Sequence, residues 1–72
     1  MKPHLAKRSF SLAGHRTSVA LEPEFWTVIE QTAQSRGLSL AALVAELDAA
    51  RAETGAPLAS TLRVFALRCR GA

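Results

Sequence analysis

Polar and apolar residues alternate along Arg16-Thr17-Ser18-Val19-Ala20-Leu21. In an extended chain this puts Thr17, Val19 and Leu21 on one face and Arg16, Ser18 and Ala20 on the other. The first face is apolar and β-branched, suited to packing on helices. The second is small and polar with one arginine. After Glu22-Pro23 the period changes. Phe25, Val28, Ile29 and Ala33 recur at helical spacing, with Trp26 widening the stripe. Pro23 suits a first helical position, where its missing N–H costs nothing, and Glu22 and Glu24 complement the positive end of the helix dipole. Arg36 suits the opposite end, and Gly37 supplies the left-handed residue that closes a helix. A second stripe, Leu40, Leu43, Val44 and Leu47, follows Ser39, a good N-cap. Gly55 and Pro57 stop it. A third, Leu58, Leu62, Phe65 and Cys69, runs toward the C-terminus. The pattern predicts a strand over 15–21 and helices over 23–36, 39–54 and 56–70.

Residues 1–14 read as a basic arm, because Pro3 blocks a helix and no long period is present. Ser9-Phe10-Ser11-Leu12 does alternate, so a hairpin onto 15–21 is the competing arrangement. Two-residue hairpin loops favour Asn-Gly, Asp-Gly or a leading glycine, and Ala13-Gly14 fits these poorly. On this reading the strand has no partner in its own chain. A lone strand leaves a row of open N–H and C=O groups, so a second copy of the chain is expected to supply the other half.

Size agrees with that expectation. Seventy-two residues bury a modest core, and such chains often need a disulfide, a metal or self-association. Cys69 is the only cysteine, and His4, His15 and Cys69 match no ligand spacing, so no cofactor or metal is expected. No apolar run reaches membrane-spanning length, and Leu5, Phe10 and Leu12 are too dispersed for a signal-peptide core. A soluble, cytoplasmic protein is expected.

Nine Lys and Arg against six Asp and Glu give a net charge of +3. The acids (Glu22, Glu24, Glu30, Glu46, Asp48, Glu53) all lie in the middle. Lys2, Lys7, Arg8, Arg16, Arg63, Arg68 and Arg70 lie in the flanks. This distribution suits a polyanion such as nucleic acid, and equally a merely well-solvated surface.

Strand, helix, glycine turn and Ser-capped helix, in that order, resemble the ribbon-helix-helix family of bacterial DNA-binding proteins. The likeness rests on Gly14-His15-Arg16-Thr17-Ser18-Val19 with Leu21-Glu22, Phe25-Trp26, and Gly37-Leu38-Ser39-Leu40. It implies a mainly α intertwined homodimer whose two strands form one antiparallel ribbon in the major groove of double-stranded DNA. Arg16, Ser18 and Ala20 would face the bases. Lys7, Arg8, His15, Ser39, Leu40 and Ala41 would meet phosphates, the last three through a helix N-terminus. Val19, Leu21, Phe25, Trp26, Ile29, Leu40, Leu43, Val44 and Leu47 would form the dimer core. Ala20 is a weak reader where such strands often carry a larger polar side chain. The helix at 56–70 lies beyond the basic unit, and residues 56–72 offer a surface for a protein partner. That gives a second reading, an antitoxin-like or adaptor interaction module. No catalytic constellation is present: Glu46 and Asp48, two apart on a helix, point to different faces.

Overall fold

The computed structural model describes residues 4–70. Five elements follow one another: β1 (Ala6–Leu12), β2 (His15–Leu21), α1 (Pro23–Ser35), α2 (Leu40–Arg51) and α3 (Leu58–Arg70). β1 and β2 form a two-stranded antiparallel sheet with Ala6 opposite Leu21 and Leu12 opposite His15.

This corrects the expectation of an unpartnered strand. The Arg16–Leu21 segment completes its ladder within its own chain, and residues 6–12 of the expected arm are a strand. Residues 1–3 of that arm lie outside the described residues. The loop is Ala13-Gly14, with φ of 51° and 81°. Two positive φ values make a type I′ turn, whose twist matches that of the flanking strands. Gly14 adopts this conformation without strain. Ala13 gives up about 1–2 kcal/mol to crowding of its Cβ. Burial of Phe10 and Leu12 outweighs that cost, since hiding each such side chain is worth about 1.5–3 kcal/mol. Tertiary packing therefore overrode the turn preference.

The helix termini follow the local chemistry. α1 closes in a Schellman arrangement, with Leu38 N–H donating to Ala33 O at 2.8 Å and Gly37 N–H to Gln34 O at 3.0 Å. Gly37 has φ 69°, as that motif requires. Ser39 caps α2 by accepting from Ala42 N–H at 3.0 Å. α2 ends at Arg51, three residues before the expected Thr54, because Gly55 N–H turns back to Arg51 O at 2.9 Å. The Arg51 side chain secures this turn by donating to Asp48 and to the Ala56 carbonyl.

One apolar core joins all five elements. Phe10, Leu12, Val19 and Leu21 from the hairpin meet Trp26, Ile29 and Ala33 from α1. Leu43 and Val44 of α2 and Leu58, Leu62 and Ala66 of α3 complete it. On α3 the buried stripe runs through Ala66, while Phe65 and Cys69 are half-buried beside it. The residues expected between two copies are thus largely the interior of one: Val19, Leu21, Trp26, Ile29, Leu43 and Val44 are buried by their own chain. Phe25, Leu40 and Leu47 are partly covered.

Candidate nucleic-acid interface

Partners across an antiparallel ladder share a face. The register therefore divides the hairpin into two surfaces. Ala6, Arg8, Phe10 and Leu12 lie with Leu21, Val19, Thr17 and His15 on the helix side. The outward surface is built from three rungs: Lys7 opposite Ala20, Ser9 opposite Ser18, and Ser11 opposite Arg16. Five of these six residues are exposed, and Ala20 is half-buried. Ser9 and Ser18 join hydroxyls at 2.9 Å across the central rung. In a two-residue hairpin the closing pair, Leu12 and His15, exchanges the backbone hydrogen bonds, so the outward rungs are the close, non-hydrogen-bonded pairs. That closeness lets two side chains as short as serine touch.

The helices hold this surface from behind. The Trp26 indole N–H donates to Ala6 O at 2.7 Å, fixing the start of β1 to the first turn of α1. Phe10 packs against the same ring, centroids 5.9 Å apart. The Arg8 guanidinium stands 5.1 Å from the Trp26 ring centroid and forms an ion pair with Glu30. Arg8 therefore faces the helices with its guanidinium paired to Glu30. Arg63 likewise donates to Glu22 at 3.0 Å, tying α3 to the junction of β2 and α1. Hydrogen bonding to the backbone at Glu22, and then the Arg63 guanidinium, hold the Glu22 carboxyl below its ordinary pKa. Two bases from the flanks are thus neutralised by acids of the middle. Lys7 and Arg16 carry the charge that stays on the ribbon's outward face.

The other predicted contacts fall elsewhere. His15 is exposed beside the turn, on the helix side of the sheet. Leu40 and Ala41 open α2, and their N–H groups precede the first intrahelical bonds. The groove in front of them is lined by Glu30, Gln31, Gln34, Ser39 and Leu40. An anion there would meet the Glu30 carboxylate, whose charge Arg8 offsets. Ser39 itself uses its hydroxyl as the cap.

Sequence reasoning placed Arg16, Ser18 and Ala20 together and missed Ser9 and Ser11, which share their surface. It assigned Lys7 to phosphate contacts as part of an arm, not to this surface. The signal was present, because Ser9-Phe10-Ser11-Leu12 alternates in the same sense as Arg16–Leu21. The turn residues argued against using it. Among the described residues no group of three or more His, Cys, Asp or Glu is arranged to hold a metal. No helix there is long and apolar enough to cross a membrane.

A model of the ribbon-helix-helix domain matches residues 5–69, nearly the whole described chain and β1 and α3 with it. No curated protein and no solved structure matches the chain.

Proposed function

The chain belongs to the ribbon-helix-helix family, and from that premise we propose that it is a DNA-binding transcriptional regulator. It acts in the cytoplasm as a homodimer and lays a β-ribbon in the major groove. Members of the family generally form dimers, bind DNA and are typically not enzymes. One observation carries the reading for this chain: the ribbon's solvent face holds exposed Arg16 beside exposed Ser18, with no carboxylate among its six residues. A two-stranded ribbon fits the major groove, where base edges present a distinguishable pattern of donors and acceptors. Arg16 suits bidentate bonding to guanine, and Ser18 can donate or accept. His15 and the α2 N-terminus supply phosphate contacts that orient the ribbon and carry no sequence information.

Gel-shift titration against genomic fragments and a scrambled control tests this directly. Arg16→Ala should weaken the preferred fragment by about ten-fold, the value of one good base contact. The logarithm of the binding constant should fall with log salt at about −0.9 per phosphate engaged. Equal affinity for the scrambled duplex, unchanged by Arg16→Ala, would end the sequence-reading role. Light scattering tests the dimer, and a single-chain mass at all working concentrations would exclude it.

A second reading, a protein-docking module, is favoured by the far side of the molecule. An apolar groove of about 430 Å³ runs between α2 and α3, lined by Leu47, Ala50, Val64 and Phe65 with Arg68 at its edge. Val64 and Leu67 remain 47% and 55% exposed. Val64→Glu with Leu67→Glu should abolish capture of a protein partner while leaving DNA affinity intact. Loss of both together would reduce this surface to a part of the fold.

A further inference from the structure

We infer that the groove between α2 and α3 takes an acidic amphipathic helix of another protein, with its apolar stripe on the groove floor and a carboxylate on Arg68. This rests on the docking reading of that surface and deepens it by naming the partner's chemistry.

The groove sets the shape of its occupant. Its α3 wall presents Ser60, Val64 and Arg68 on successive turns, about 12 Å from end to end. Its α2 wall presents Leu47, Ala50 and Thr54, also one turn apart. Ala50 is short, so another helix can lie close in the cleft. Leu67, three residues beyond Val64 and exposed like it, continues the apolar surface. Both walls are helices, so an extended peptide finds no strand edge to pair with. Its N–H and C=O groups would lie unpaired against Leu47, Val64 and Phe65, and buried backbone groups are almost always paired. A helix bonds its own backbone and offers side chains at i, i+3, i+4 and i+7 to a groove of this kind.

Charge selects the partner. No Asp or Glu lines the groove, and α3 carries Arg63, Arg68 and Arg70 with no carboxylate of its own. Arg63 is paired with Glu22, and Arg51 is held by Asp48 and the Ala56 carbonyl. Arg68 lines the groove, is exposed, and has no ion-pair partner among the described residues. A carboxylate at the end of an apolar stripe would meet it, and a lysine there would be repelled. The same arginines oppose a second copy of the chain as occupant. A two-fold contact centred on α3 would set Arg68 and Arg70 against their own images. The stripes of α1 and α2, through Ile29 and Leu43, are already buried in their own core.

Three helix-constrained synthetic peptides of about four turns, roughly sixteen residues, test this against the full chain by fluorescence anisotropy at low salt. One carries leucines at i, i+3, i+4 and i+7 flanked by glutamates. The second has lysines for the glutamates, and the third has serines for the leucines. The acidic peptide should bind about five- to ten-fold tighter than the lysine peptide, with the preference shrinking as salt rises. The serine peptide should not bind. Arg68→Ala should weaken the acidic peptide by about three-fold, and Arg68→Glu should invert the preference. Arg68 stands outside the core, and an inverted preference cannot come from lost fold. Val64→Glu should abolish binding of both leucine peptides.

Equal binding of the acidic and lysine peptides, a preference unmoved by Arg68→Glu, or no binding of any peptide would overturn the inference. The docking reading would then still stand or fall on capture of a protein partner by the parent chain and not by Val64→Glu with Leu67→Glu. Binding of the chain to anionic phospholipid vesicles, lost in that double variant, would assign the face to a membrane and overturn the inference as well.

Discussion

β1 and α3 flank the strand-helix-helix unit, and both look like additions to it when the chain is read as a sequence. The fold makes both integral, in different ways. β1 hides Phe10 and Leu12 and turns Lys7, Ser9 and Ser11 outward. α3 hides Leu58, Leu62 and Ala66 yet leaves Val64 and Leu67 bare. A strand has a period of two, so it divides its residues cleanly between core and surface. A helix buries a stripe and keeps a broad remainder. The short strand can therefore complete the core and the candidate site together. The helix completes the core and leaves an apolar surface, Val64 and Leu67, exposed among the described residues.

The largest effect should come from breaking the joint that holds β1. Trp26→Ala should cost about 3–5 kcal/mol, the usual penalty for emptying a buried aromatic position. It also deletes the donor to Ala6 O. Urea unfolding of this variant should show a much lower midpoint. A midpoint near that of the parent would mean β1 is not docked through this ring.

Leu62→Ala asks whether α3 is part of the same core. The expected loss is about 2–5 kcal/mol for a fully buried leucine. Leu67→Ala, five residues on and exposed, should stay within about 0.5 kcal/mol of the parent. Equal, small changes would make α3 an appendage after all.

A smaller effect sharpens the account of the hairpin. Ala13→Asn places a residue tolerant of positive φ at the first turn position, giving the Asn-Gly loop that type I′ turns favour. Stability should rise by up to about 1 kcal/mol, part of the strain now carried by Ala13. A decrease would mean that the turn has another shape.

The smallest effect concerns the tie between α3 and the ribbon. The Glu22 carboxyl has a lowered pKa in the folded chain. Its contribution with Arg63 is therefore fully present above the ordinary value of 4.5 and fades as pH falls through the lower folded value. Glu22→Gln should flatten the dependence of the unfolding midpoint on pH in that acidic window and leave the shape near neutrality unchanged. An identical acid profile in both proteins would remove the pair from the account.

The helices were legible in the chain because their signals are local. Pro23, Gly37, Ser39 and Gly55 act within one or two turns of where they stand. The faces of β2 were legible because alternation is strict there. β1 was not recognised, although Ser9–Leu12 alternates equally well, because Ala13 is a poor first residue for its turn. The reason it is tolerated lies in Phe10 meeting Trp26, sixteen residues away in sequence. The same distance effect hid the ion pair of Arg8, whose partner Glu30 comes from α1. Charge blocks in the flanks suggested free cations. The folded chain matches two of them, Arg8 and Arg63, to acids from the middle and leaves Lys7 and Arg16 facing out on the ribbon. Long-range pairing of this kind has no local signature.

The indole that anchors β1 is also the chain's single tryptophan. Its ring is almost wholly screened from water, bonded through nitrogen to a strand carbonyl and overlaid by a guanidinium. Its emission spectrum should therefore report the seating of the hairpin with no label added. A red shift that precedes the loss of helical signal would reveal a state in which the ribbon has lifted away while the helices stay packed.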